Sequence, residues 1–194
     1  MVKTKKLGKK ITYELNEAYQ KTLNWFFSYP NNEIGLSDLA ETVNISKKTA
    51  NLVVTKLENE GFLKKEVIGR IWRISCNQTH IYNYSRKIAY NLRKIYESGL
   101  IEEVHKAIES PKSIILFGSY RKGDDTEESD IDIAVEIIGD DEPKIINLGV
   151  LEEMGYRSNV PVNLYVFSRK KVDINLFSNI VNGIVLEGFL EAKP

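Results

Sequence analysis

The sequence predicts an α+β protein of two modules, one helical and closed by a β-hairpin, the other organised around a mixed sheet. Three observations predict it. Charge is split along the chain: the formal net charge is +0, yet residues 1–84 carry 13 Lys and Arg against 8 Asp and Glu, and residues 85–194 carry 14 against 19. Apolar residues of the first half recur at helical spacing and end in two short strand-like runs before Cys76. Beyond residue 110, an apolar run breaks at Gly118-Ser119 and resumes as Asp130-Ile131-Asp132-Ile133, a strand, turn and strand.

Composition bounds the rest. A chain of 194 residues with 42% apolar content can bury two small cores, and 10% aromatic content excludes a disordered chain. The single Cys76 excludes an internal disulfide framework and a Cys-rich zinc site, and it fits a reducing compartment. No apolar run approaches the roughly 20 residues of a spanning helix. The basic start MVKTKKLGKK is followed by no apolar stretch, so it does not read as a signal peptide. A cytoplasmic protein without a membrane partner is expected.

The first element is a helix over Tyr13 to Ser28, with Leu15, Tyr19, Leu23 and Phe26 on one face. Tyr29-Pro30 stops it, because Pro disfavours α geometry in the residue before it. A short helix follows over Asp38 to Thr42, capped by Ser37. Asn44-Ile45 makes a tight connection. Ser46 then caps a longer helix over Lys47 to Glu60, whose buried stripe is Ala50, Val53, Val54 and Leu57. Gly61 ends it where a positive φ is needed. Two strands, Phe62 to Ile68 and Arg70 to Ser75, are hinged at Gly69.

LSDLAETVNISKKTANLVVTKLENEGFLKK with the hairpin EVIGRIWRIS resembles a winged helix-turn-helix domain, over about residues 10–77. In such a domain the second helix of the pair enters the major groove by its N-terminal residues. That resemblance implies DNA contacts from Ser46, Lys47, Lys48, Thr49 and Asn51, with Arg70 and Arg73 reaching phosphates from the wing. Lys supplies charge, and Asn bonds adenine bidentately. The competing reading is a solvated helix face on a protein-interaction module, because +5 is modest for a nucleic-acid-binding unit.

Residues 78–109 read as two helical pieces broken at Gly99, the first a bridging helix or a homodimer seam. The expected organisation is 1–80, a connecting helix 81–99, and 100–194. His80 and His105 lack metal-ligand spacing and carry no assigned role.

The chemistry lies in Ile114 to Glu136, IILFGSYRKGDDTEESDIDIAVE. Residues i and i+2 of a strand share a face, so Asp130 and Asp132 stand side by side while Ile131 and Ile133 enter the core. Such a carboxylate pair suits Mg²⁺ or Mn²⁺. Gly118 lets backbone approach a polyanion, Ser119 adds a donor, and Arg121 and Lys122 add charge. A phosphate cradle beside a divalent-metal pair is what nucleotidyl transfer requires.

Gly118-Ser119-Tyr120-Arg121-Lys122-Gly123, ten residues between Ser119 and Asp130, and Ser129-Asp130-Ile131-Asp132 resemble the minimal members of the DNA polymerase beta-like nucleotidyltransferase superfamily. Their pattern is Gly-Ser-x-Ala-Arg-Gly followed by Ser-Asp-x-Asp. Here Arg121 stands for the Ala and Lys122 for the Arg. The resemblance covers about residues 100–190. It implies a nucleoside triphosphate bound by Gly118, Ser119, Arg121, Lys122 and Ser129, metal on Asp130 and Asp132, and a third carboxylate from a later strand. The strand VPVNLYVFS puts Asn163 at that third position, with Glu152 or Glu153 on a neighbouring helix as stand-ins.

Two functions are therefore expected. One is Mg²⁺-dependent transfer of a nucleoside monophosphate to a hydroxyl, with a DNA-binding module. The other is a transcriptional regulator or antitoxin-like protein whose degenerate domain binds only nucleotide or a partner. For that case the resemblance implies a small helical ribonuclease-type partner of the HEPN class.

Overall fold

The computed structural model describes residues 17–69 and 71–191. The N-terminal unit runs α1 (Glu17–Ser28), β1 (Ile34–Gly35), α2 (Leu36–Thr42), α3 (Lys47–Asn59), β2 (Leu63–Ile68) and β3 (Ile71–Cys76). The three strands form an antiparallel sheet in the order β1-β3-β2, with Ile34 opposite Ile74 and Leu63 opposite Cys76. Of the expected residues, Tyr13 to Asn16 and Arg70 lie outside the described ones.

Local chemistry explains the helix ends. Ser46 caps α3, its side chain accepting from the Thr49 N–H at 3.0 Å. Gly61 takes φ +84° just after the helix. The α2 boundary differs from expectation: the helix starts at Leu36 behind Gly35, and Ser37 lies inside it rather than capping it. Leu36, partly buried against the first core, brings the helix start two residues earlier. Leu23, Phe26, Leu39, Val54, Leu57, Phe62 and Ile74 are buried in that core. Phe62 receives Phe26 and Phe27 edge-on, with centroids 6.5 and 5.5 Å away.

Residues 81–85 are turns, so the expected continuous helix begins only at α4 (Arg86–Glu97). Gly99 at φ +74° separates it from α5 (Leu100–Ala107). The second sheet holds β4 (Ser113–Phe117), β5 (Ile131–Ile137), β6 (Lys144–Met154), β7 (Arg157–Ser168) and β8 (Ile184–Gly188), in the order β6-β7-β5-β4-β8. It is mixed: β5 and β7 are parallel, and the other pairs are antiparallel. Between β4 and β5 lies the short α6 (Gly118–Lys122), and α7 (Ile174–Val181) precedes β8.

Strand alternation gives the sheet two apolar faces. Ile131, Ile133 and Val135 face a core with Ile95, Leu100 and Val104 of α4 and α5. Ala134, Phe117 and Phe167 face Ile180 of α7. Asp132 shares the face of Ala134 and sits at the strand's edge of the apolar layer. Tyr90 of α4 joins the N-terminal core, while Ile95 joins the sheet's core, so one helix packs on both units. Among the described residues no helix is long and apolar enough to cross a membrane.

Candidate active site

Asp132 occupies the centre of the site through strand register alone. It lies opposite Phe117 on β4 and opposite Asn163 on β7. Gly118 follows Phe117 directly, so the turn is carried against the Asp132 side chain. A Cβ added to Gly118 would stand 2.5 Å from Asp132 Oδ2, and φ there is +70°. Glycine is thus demanded twice, by space and by backbone conformation. Gly118→Ala is expected to cost about 1–2 kcal/mol of folding stability and to move Asp132, which thermal melts and nucleotide titration together would register. Unchanged melting and binding would refute this packing.

Asn163 donates from Nδ2 to Asp130 Oδ2 at 3.2 Å and stands opposite Asp132 in the strand register, so the three side chains lie together. Burial holds the Asp132 carboxyl above the usual carboxylate range, the neighbouring Asp130 charge adds to this, and the Asn163 bond opposes it. Two like charges are thus held close, which is the electrostatic arrangement a divalent ion relieves. Asp130 and Asp132 are the side chains that would hold a Mg²⁺, an ion suited to one or two carboxylates. Among the described residues no cluster of three or more His, Cys, Asp or Glu forms a fuller metal site.

Beside the turn is a cavity of about 220 Å³ lined by Phe117, Gly118, Arg121, Lys122, Asn179 and Asn182. It joins the two cations of α6 to the carboxamides of Asn179 on α7 and Asn182 just past its end, two residues that sequence reasoning did not reach. Ser119 is half-buried in the same turn. Ser129 serves the loop itself: its Oγ accepts from Thr126 N at 2.9 Å and its carbonyl from Arg157 at 2.9 Å. Glu152 and Glu153 lie on β6, a strand and not a helix. Glu153 stands opposite Ser158, five residues along β7 from Asn163, about 17 Å at strand rise. They do not reach the site.

These positions match a known family. The family model described as "Nucleotidyltransferase domain" matches residues 98–184. A curated protein of Methanocaldococcus jannaschii named "Putative protein adenylyltransferase" is 39% identical over 93 residues, covering 44% of this chain and 91% of the relative. The chain belongs to the nucleotidyltransferase family. The family match begins within the Ser98-Gly99 turn, so residues 17–97 of the described chain, with α1 to α4, precede it.

In the N-terminal unit, Lys47, Lys48 and Asn51 are exposed at the start of α3. Ser46 and Thr49 are engaged with each other, their hydroxyls 2.8 Å apart. Arg73 pairs with Glu33 at 3.3 Å and Glu66 at 3.4 Å, which occupies much of its charge. Gly35, Asp38, Lys47, Asn51 and Trp72 line a groove of about 440 Å³ between the helices and the hairpin.

Proposed function

We propose that this chain transfers a nucleoside monophosphate from a nucleoside triphosphate to a hydroxyl acceptor in the presence of Mg²⁺. The observation that carries the proposal is the register that sets Asp132 between the Gly118 turn and Asn163. The relative's name makes ATP the first donor to test and a protein side-chain hydroxyl the first acceptor class. In the reaction the acceptor oxygen bonds to the α-phosphorus and gives up its proton to water, the α–β phosphoanhydride bond breaks, and pyrophosphate leaves. Asp130 and Asp132 would hold the metal, whose chemistry is to neutralise phosphate charge and polarise the reacting oxygens. Ser119 donates to a phosphate oxygen, while Arg121 and Lys122 offset the charge of the departing pyrophosphate. Asn163 holds Asp130 in place but cannot take the acceptor proton, so turnover is slow relative to binding.

The Asn163 carboxamide also supports a second reading, in which the nucleotide is bound and sensed without turnover and a partner, such as a HEPN-type helical protein, reads the result. Thermal stability measured with each of the four NTPs, with and without Mg²⁺, tests the shared premise. Incubation with α-labelled NTP and candidate acceptors then separates the two. Mg²⁺-dependent binding with label transfer supports the enzyme, binding without transfer supports the sensor, and no binding rejects both.

For the N-terminal unit we propose a winged helix-turn-helix fold that contacts DNA. The order of three helices and three strands and the β1-β3-β2 sheet support it, as do the exposed Lys47, Lys48 and Asn51. Lys47→Ala with Lys48→Ala is expected to weaken DNA binding and to reduce the log–log salt slope by about 2. If wild type and variant ignore DNA equally, the unit is a protein-interaction module.

A further inference from the structure

The connection from Gly118 to Asp130 carries every group that the proposed nucleotide site takes from this part of the chain, and its path is set by buried residues outside it. Lys87 of α4 is 1% exposed, and its Nζ donates to the Asp125 carbonyl oxygen at 2.5 Å and pairs with the Asp125 carboxylate at 3.2 Å. Asn91, one helical turn further on, is also 1% exposed. Its Nδ2 donates to Asp125 Oδ1 at 2.8 Å and to the Tyr120 carbonyl at 3.1 Å. The Arg157 guanidinium donates to the Tyr120 hydroxyl and the Ser129 carbonyl. The Asn83 carbonyl closes against Gly123 so tightly that a Cβ there would stand 1.9 Å from it.

Asp125 belongs to an acidic run, Asp124 to Glu128, that reads as a solvated loop in sequence. It is 4% exposed instead. A buried ion pair contributes little to stability over a well-packed apolar pair, because desolvating both charges cancels most of their attraction. What it supplies is direction. Lys87 and Asn91 bind named carbonyl oxygens on both sides of Gly123, which apolar packing cannot do. A displacement of about 1 Å in such a site is enough to cost 10²-fold in rate.

We propose that Lys87 and Asn91 are positioning residues for the nucleotide site, holding the Gly118–Asp130 connection so that the turn and Asp130 meet Asp132 in register. The inference rests on the nucleotide reading above. It places α4, which precedes the family-matched residues, inside the catalytic unit.

The test uses the full chain and four variants: Asn91→Ala, Lys87→Met, Lys87→Met with Asp125→Leu, and Glu136→Gln. Glu136 is equally buried and pairs with Arg169 and Lys112 at the far end of β5, so it controls for stability alone. Mg²⁺·ATP affinity is measured at a temperature where circular dichroism shows each variant folded, and amide hydrogen exchange is followed across residues 118–130 without nucleotide. Asn91→Ala is expected to weaken Mg²⁺·ATP binding at least tenfold and to speed exchange in the connection. The Lys87/Asp125 double variant is expected to recover melting temperature over Lys87→Met without recovering affinity, and Glu136→Gln to lose stability with affinity unchanged. Wild-type exchange and affinity in Asn91→Ala would overturn the proposal, as would affinity that tracks melting temperature through all four variants. Should Lys87→Met fail to fold, Asn91→Ala decides alone, since it removes no charge. A wild-type chain that binds no Mg²⁺·ATP overturns the nucleotide reading itself, a result the exchange data separate from failure of the brace.

Discussion

Replacing Asp130 and Asp132 together by Asn is expected to abolish the Mg²⁺-dependent stabilisation by nucleotide while leaving the ligand-free protein at least as stable as wild type. The first half follows from the ligand set, since these two side chains are the anionic ligands the site offers. A ligand at 100 times its dissociation constant stabilises the folded state by about 2.7 kcal/mol, and the variant should show none of it. The second half follows from the electrostatics. Burial and the neighbouring Asp130 charge raise the Asp132 pKa, so ionised Asp132 opposes folding. A group whose folded pKa is raised contributes stability that is present below its unfolded pKa and lost as pH rises through the folded one. Ligand-free wild type should therefore gain stability from this group as pH falls through that window, which lies above the ordinary Asp value of about 3.9. Mg²⁺ affinity should fall over the same window, because proton and metal compete for one carboxylate. The double variant should lose both dependences. A nucleotide shift that survives in the double variant would put the binding site elsewhere.

Asn163→Asp is expected to raise transfer by on the order of 10²-fold, the lower end of what a positioned proton acceptor contributes. The argument is one of register. Asn163 is the β7 residue directly opposite Asp132, and its Nδ2 already touches Asp130 Oδ2 at 3.2 Å, so a carboxylate there joins the existing pair without rebuilding the backbone. The same change removes a donor that holds Asp130 and adds a third negative charge. Melting temperature should therefore fall without metal and recover on adding Mg²⁺, and this signature is independent of any acceptor. If Mg²⁺ does not restore the melting temperature and labelled-nucleotide transfer is no faster, Asn163 is not the position of a third ligand.

Much of this site was legible along the chain because its signals are local. Asp130 and Asp132 share a face by the two-residue repeat of a strand, and the Gly118-Ser119 turn is visible as a break between apolar runs. The α3 cap at Ser46 and the β7 strand that carries Asn163 were legible in the same way. The acidic run Asp124 to Glu128 reads as solvated, because a run of carboxylates carries no sign that one of them meets a lysine 38 residues earlier. Arg73 looked available on the hairpin, and only the fold brings Glu33 and Glu66 to it. Glu152 and Glu153 read as helical along the chain, and only pairing with β7 shows that they belong to a strand.

Apart from β1 and β6, the residues alone carried most of the helices and strands, the Gly118 turn between β4 and β5, and the resemblance of the second half to its family. These follow from periodicity, capping and turn chemistry, which act over a few residues. Tertiary structure alone decided that Asn163 stands beside Asp132, that Gly118 is pressed against the same carboxylate, and that α4 fastens the connection through Lys87 and Asn91. Each of these is a contact between elements far apart in the chain. Such contacts are set by strand register and by the pairing of buried polar groups, and neither leaves a periodic trace in the residues themselves.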